Sequence, residues 1–337
     1  MKKLMMLFVI TTILFCWAIY GEKVATLPEL MKPSVSFAVD ETQIYVPEGA
    51  SIFIYSKKDY KLMKKFGREG EGPKEFKILP EIPLTITPEG DQLIVNSLFK
   101  ISYFTKNGEF IKEIKALSQG LFFQPFGDKF LGLSATQENK TLFYTYNLYD
   151  AELNKIKEIY RAKHKFQGPG NGFQAIQKVI TCFAYKDNTI IMPGKDDATL
   201  DIFNKELKKL FSIRIEQEKL PVDQEFKDKF MAELKSNPAT KNILGLLKPI
   251  KFPKYFPTIM AFFVEDDIIY IMTFKTVKGD YEFFTYDMNG KFKKKITIPI
   301  KFQTELTPYP ITIYKQKLYQ IVENEEEEWE LYVTEIF

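Results

Sequence analysis

The chain has 337 residues, 45% of them hydrophobic and 15% aromatic, including 31 Phe and 18 Tyr. This composition excludes wholesale disorder and favours strands, because aromatic side chains suit pleated, half-buried surfaces. The formal charge of +3 falls to +1 without Lys2 and Lys3, which leaves no broad basic surface and so no nucleic-acid partner.

In chain order, the first element is a leader. Lys2-Lys3 precede an apolar run over residues 4–20, followed by the polar Gly21-Glu22-Lys23. Residues 1–21 therefore read as a secretory signal peptide, with imperfect cleavage contexts at Cys16-Trp17-Ala18 and Ile19-Tyr20-Gly21. The run is also at the lower limit for crossing a bilayer, so the alternative is an uncleaved anchor, and membrane contact would arise only through it. Either reading exports the protein to the periplasm or cell surface. Phe15 before Cys16 is too bulky for lipoprotein processing. Cys182 is then the one cysteine of the exported domain. It precludes an intramolecular disulfide, and its apolar setting, VITCFAY, predicts a buried, inert thiol.

Residues 22–337 repeat one pattern six times: a turn, a short apolar strand, a variable loop, an aromatic-rich strand, a turn and a final strand that is often Lys-rich. The repeats begin at Asp40, Glu89, Phe126, Tyr185, Glu265 and Lys315, and their equivalent second-strand positions are Ile44, Leu93, Phe130, Ile190, Ile269 and Leu318. A fixed pattern at such intervals predicts an all-β fold, a six-bladed β-propeller. Asn107-Gly108 and Asn289-Gly290 mark matching hairpin turns, with Asp150-Ala151-Glu152 and Asn204-Lys205-Glu206 in the same slot. The sixth repeat ends before an outer strand, while residues 22–27 are spare. They are expected to complete the last blade and close the ring. Residues 220–249 break the pattern. Phe226, Phe230 and Leu234 recur at helical spacing, and Asn237-Pro238 starts a second helix, so a two-helix insertion between blades 4 and 5 is expected to cover one mouth of the ring.

The stretch KKFGREGEGPKEFK, residues 64–77, raises the question of a phosphate loop. A Walker loop needs Gly-Lys-Ser/Thr opening a helix, and a dinucleotide fingerprint needs a strand-helix-strand unit. Here Pro73, Pro80 and Pro83 follow and no helix pattern does. The stretch reads instead as the connector from blade 1 to blade 2, with Phe76 plugging between them.

Gly67-Arg68-Glu69-Gly70-Glu71-Gly72-Pro73-Lys74-Glu75-Phe76 resembles the Gly-x-x-Gly-x-Gly-Pro-x-Glu-Phe loop of exported bacterial six-bladed β-propellers related to the NHL-repeat and TolB-like groups. The closing ENEEEEWEL (residues 323–331) and the helical pair are similar too. The resemblance implies architecture and no established activity. Lys74 stands where that group often has glycine.

Sequence alone assigns no catalytic residue, no metal site and no cofactor. His164, the single histidine, excludes clusters of two imidazoles, is expected at the surface, and has no Gly-x-Ser-x-Gly partner for a triad. The acidic run over residues 325–328, Lys195-Asp196-Asp197 and Glu265-Asp266-Asp267 read as solvated turns. The function these observations favour is a non-catalytic binding propeller, a monomer, for a protein, peptide or saccharide of the cell envelope. Its ligand would be met by Arg68, Glu71, Lys74, Glu75 and Phe76. The alternative is a metal-dependent lactonase or lyase using carboxylates in the central channel.

Overall fold

The computed structural model describes residues 21–78, 83–116, 120–168, 171–186 and 188–337. The expected leader, residues 1–20, lies outside the described residues. Six four-stranded antiparallel sheets follow one another along the chain. Blade 1 comprises Ala38–Val39, Gln43–Glu48, Ser51–Ser56 and Leu62–Phe66; blade 2 comprises Thr85–Glu89, Gln92–Ser97, Lys100–Thr105 and Phe110–Lys115. Blade 3 is built from Gly120–Phe126, Lys129–Glu138, Thr141–Tyr149 and Lys155–Lys163, and blade 4 from Phe183–Tyr185, Thr189–Pro193, Thr199–Asn204 and Lys209–Arg214. Blade 5 uses Ala261–Glu265, Ile268–Val277, Asp280–Asp287 and Phe292–Ile298. Blade 6 uses Ile311–Tyr314, Lys317–Glu323 and Trp329–Glu335, and takes its fourth strand from Glu22–Thr26. The first strands of neighbouring blades approach one another around the axis. The protein is a six-bladed β-propeller closed by its N-terminal strand.

The six equivalent positions align residue for residue. Ile44, Leu93, Phe130, Ile190, Ile269 and Leu318 are each the second residue of a second strand, and five of them lie opposite an aromatic: Tyr55, Phe104, Tyr149, Phe203 and Tyr286. Leu318 faces Thr334 instead. Because strand side chains alternate, each of these residues enters the core shared with the preceding blade, and the next residue enters the core shared with the following one. Thus Ile44 packs with Tyr319 and Trp329 of blade 6, while Tyr45 packs with Leu93 and Phe104 of blade 2. The same division holds at Leu93 and Ile94, Phe130 and Leu131, Ile190 and Ile191, Ile269 and Tyr270, and Leu318 and Tyr319. The hydrophobic core is six cores, one between each pair of blades.

One turn recurs between third and fourth strands. Asp150, Asn204 and Asp287 each use the side-chain oxygen to accept from the backbone N–H groups two and four residues on, at 2.8–3.2 Å. The residue three positions on takes a left-handed conformation: Leu153 (φ 63°), Leu207 (φ 61°) and Gly290 (φ 80°). Blade 2 has a reduced form of it, with the Thr105 hydroxyl accepting from the Glu109 N–H four residues on at 3.1 Å and Gly108 at φ 74°. The left-handed residue packs towards the preceding blade. Leu153 and Leu207 insert their own side chains into those cores, whereas Gly108 and Gly290 make room for Phe66 and Phe211 supplied by the preceding blade. The acidic hairpin of blade 6 has the same form: Asn324 accepts from Glu326 and Glu328 at 2.9 Å, and the glutamates over residues 325–328 are exposed.

Closure depends on a ladder between Glu22–Thr26 and Trp329–Glu335, reinforced by Lys23 Nζ on Glu330 at 2.5 Å. Burial alone would raise the Glu330 pKa, but Lys23, Tyr332 and Asn324 together hold it at about 2.

The insertion forms one helix, Gln224–Ser236, capped by Asp223, whose carboxylate accepts from the Phe226 N–H at 2.8 Å. The expected second helix is divided into two single turns, Pro238–Lys241 and Leu244–Leu247. The stripe of Phe226, Phe230 and Leu234, expected to cover one mouth of the ring, packs into a satellite core built largely of connector residues. It packs on Ala175 and Ile176 from the connector between blades 3 and 4, on Phe252 and Phe256, on Phe274 of blade 5 and on Leu306 from the next connector. A short parallel pairing of Phe173–Gln174 with Ile250–Lys251 ties two of these connectors together.

Two outcomes are expected. A β-carbon on Gly290 would stand 2.6 Å from the Phe211 ring in a left-handed backbone, so Gly290→Ala should destabilise the fold by about 1–3 kcal/mol in urea unfolding. Glu330, whose folded pKa is depressed, contributes stability above pH 4.5 that is lost as pH falls through about 2. Glu330 is buried on the third strand of its blade but its partner Lys23 is half-exposed on the outer strand, so the loss should be about 2 kcal/mol, and Glu330→Gln should remove this pH dependence from unfolding curves recorded between pH 5 and pH 2.

Candidate functional site

Chain direction sorts the loops onto two faces. The turns within blades that join first to second and third to fourth strands lie on one, here the turn face. The hairpins between second and third strands and the blade-to-blade connectors lie on the other, the loop face. The glycine stretch and the helical insertion are both connectors and share the loop face.

In the glycine stretch nearly every residue has a structural task. Arg68–Glu69 pairs in parallel with Glu75–Phe76, so the segment folds back on itself. Gly67 (φ 90°) gives Phe76 a close approach, since a β-carbon there would lie 2.6 Å from that ring. The Phe76 ring is fully buried and packs edge-on to Phe104, 5.9 Å between centroids, plugging blades 1 and 2 as the sequence suggests. Glu75 accepts from the Gly72 N–H at 2.9 Å and from Arg68 at 2.7 Å, and these two contacts, the N–H first, hold its carboxyl below the usual range. Lys74 adopts φ 63°, the conformation that glycine takes without strain, which gives a physical reason for glycine at this place in the resembled group. The blade 2 residue Lys100, 5% exposed, donates to the carbonyls of Gly72 (3.0 Å) and Glu75 (2.7 Å) and pairs with Glu113 at 3.1 Å. A buried ammonium needs such neutralisation. This one staples the connector to the sheet.

Beside this connector lies a cleft of about 170 Å³. Its walls are Gly70, Glu71 and Lys77 from the connector, Ser97-Leu98-Phe99-Lys100 from the blade 2 hairpin, and Lys115-Ala116 at the end of the last strand. Glu71 pairs with Lys77 at 2.9 Å. Phe99 is held at φ 61° and 37% exposed, a bulky side chain in a backbone region that favours glycine. Ser97, 3% exposed, has a buried hydroxyl with no hydrogen-bond partner.

The five residues singled out in the sequence thus divide. Arg68 is exposed, Glu71 lines the cleft, Lys74 reaches Glu109 at 3.5 Å, Glu75 is committed to the connector, and Phe76 is interior. Sequence reasoning missed Ser97, Phe99, Lys100 and Lys115. The available signal was the two-residue hairpin Leu98-Phe99, apolar where turns usually carry Asn, Asp or Gly.

A second cavity, about 460 Å³, occupies the turn-face end of the axial channel, between Asp40, Lys106, Glu265, Tyr314 and the rings of Phe183, Phe262 and Phe263. Its described lining holds two carboxylates. Lys106 meets Asp40 at 2.8 Å, and Tyr45, Thr42 and Gln43 also donate to Asp40, which offsets the effect of burial and leaves its pKa lowered. Glu265 is raised to about 7 by burial and by the neighbouring charge of Asp266. Among the described residues no group of three His, Cys, Asp or Glu side chains gathers as metal ligands would. His164 is half-buried rather than at the surface. It stacks on Tyr144 at 4.3 Å, and its Nδ1 meets the backbone of Phe166. Cys182 is buried, and burial pushes its thiol pKa up.

Neither a protein-family model nor a characterised protein sequence matches the chain. Solved structures similar to it include BamB from Moraxella catarrhalis, at 10% identity over 93% of this chain and 99% of that one, with a TM-score of 0.39. A member of the DUF4221 family from Bacteroides vulgatus matches at 12% identity over 93% and 96%, with a TM-score of 0.47. The computationally designed Ika8 protein matches at 7% identity over 93% and 99%, with a TM-score of 0.38. The six-bladed architecture rests on this chain's own strand pairing.

Relief of backbone strain gives a test of the connector. Lys74→Gly should stabilise the protein by up to about 1 kcal/mol, whereas Glu75→Ala, which strips the cap from Gly72 and the partner from Arg68, should lower the melting temperature. Calorimetric melts of the two variants against the parent check both directions.

Proposed function

We propose that the protein is a non-catalytic binding propeller, exported to the periplasm or cell surface, which recognises a protein, peptide or saccharide of the cell envelope as a monomer. The site is the cleft between the glycine connector and blade 2. Export and kinship with NHL-repeat and TolB-like propellers are supported by the apolar leader-like segment and by the loop motif over residues 67–76.

The observation that carries the reading is Phe99. A phenylalanine at φ 61° costs about 1–2 kcal/mol relative to a relaxed backbone, and glycine would relieve that strain, yet the ring is partly exposed beside Lys77, Lys115 and the unpartnered Ser97 hydroxyl. Strain retained in an exposed aromatic is a feature of contact surfaces, where a ring gives large contact area with few torsions to fix.

Immobilised protein exposed to envelope extract tests this. Phe99→Gly should leave the melting temperature unchanged or higher while reducing retention of the captured partner by roughly tenfold, a change worth about 1.4 kcal/mol. Arg68→Ala and Lys115→Ala, both at exposed groups, should reduce it less. A partner retained equally by the parent and all three variants would remove this cleft as the site.

A further inference from the structure

The axial cavity on the turn face has a polarity that the cleft does not use. Its three rim charges are not equivalent. Asp40 and Lys106 neutralise one another at 2.8 Å, and Asp40 is further saturated by Thr42, Gln43 and Tyr45. Glu265, at the end of the first strand of blade 5, has no cationic side chain within ion-pair distance among the described residues. It accepts from the backbone N–H of Lys315. The nearby cations are engaged elsewhere, Lys186 with Asp267 at 2.6 Å and Lys315 with Glu41 at 2.5 Å. The lining is therefore left with one unbalanced negative charge.

The aromatic lining adjoins this charge, since Phe262 and Phe263 precede Glu265 on the same strand, Ala261–Glu265. Phe183 of blade 4 meets Phe262 of blade 5 edge to face, 6.4 Å between centroids, and Phe263 adds a third ring. A carboxylate lacking a counter-ion that shares a cavity of about 460 Å³ with three aromatic rings is suited to one kind of guest. The guest must bring a positive charge with hydrogen-bond donors for the carboxylate and an apolar body for the rings. A hard divalent ion fits poorly, because it requires six or more oxygen ligands and Asp40 is already saturated. The cavity volume lies within the range of small-molecule sites, about 300–1,000 Å³.

We infer that the turn-face end of the axial channel binds a small primary amine, its ammonium paired with Glu265 and its apolar body laid against Phe183, Phe262 and Phe263. This site is separate from the loop-face cleft, and neither reading depends on the other.

Titration calorimetry at pH 8 with benzylamine as the probe, and with benzyl alcohol and benzoate as its neutral and anionic counterparts, tests the inference. Benzylamine should bind saturably, and the other two should bind weaker by roughly tenfold or more, as expected when a charge-assisted hydrogen bond is lost or reversed. Glu265→Gln should weaken benzylamine by a similar factor while circular dichroism shows an intact fold, and Glu265→Asp, which keeps the charge, should retain most of the affinity. Phe99→Gly should leave benzylamine binding unchanged. The inference is overturned if the parent protein fails to bind benzylamine at millimolar concentration, if Glu265→Gln binds it equally well, or if benzyl alcohol binds as tightly.

Discussion

Each blade presents apolar side chains on both faces of a thin sheet, and only a neighbouring blade can cover either face. The pairs Ile44-Tyr45, Leu93-Ile94 and Leu318-Tyr319 show the constraint at its smallest scale: consecutive residues supply two different cores. Burying a side chain of this size contributes on the order of 1.5–3 kcal/mol, and every blade does so in both directions. An open row of six sheets would leave two such faces in water, so closure follows from the same alternation that builds each strand. The core between blades 6 and 1 is where the ends of the chain meet, and it includes Leu27 and Leu30, which immediately follow the closing strand.

With the sheets stabilising one another sideways, the connectors are free to differ. The satellite core of three connectors, the glycine stretch and the strained hairpin at Phe99 all lie on the loop face, while the turn face is built largely from one repeated turn. This asymmetry explains why the two openings have different chemistry. The cleft on the loop face is framed by lysines and an aromatic held out of its relaxed conformation. The channel end on the turn face is framed by the last residues of inner strands, where Glu265 and Asp40 fall because the strand-ending turns are acidic.

The architecture was legible because it is written in periodic features. The six second-strand positions chosen by pattern are the register positions of the ladders, and the spare residues after the leader-like segment became the closing strand. The slots at Gly108, Asp150, Asn204 and Gly290 proved to be one turn, since a side-chain acceptor and a left-handed residue are local requirements. Sites are not local. Lys100 gave no sequence signal, because its task, holding the carbonyls of Gly72 and Glu75, spans 28 and 25 residues. The glycine motif attracted notice as a binding loop, yet Phe76 and Glu75 are consumed in building it. The neighbouring hairpin, whose one sequence signal is its apolar Leu98-Phe99 turn, forms the open wall. His164 likewise read as a surface residue because its stacking partner Tyr144 belongs to a different strand.

The clasp between Lys23 and Glu330 joins groups 307 positions apart. The first strand of the described chain to leave the ribosome therefore has no sheet to join until the last has emerged. Until the two meet, Trp329–Glu335 presents an unpaired edge and Glu22–Thr26 is a free segment of matching register. Two chains made in proximity would find in each other the partner each still lacks, so the feature that secures the finished ring is also the place where nascent chains are most exposed to exchanging strands.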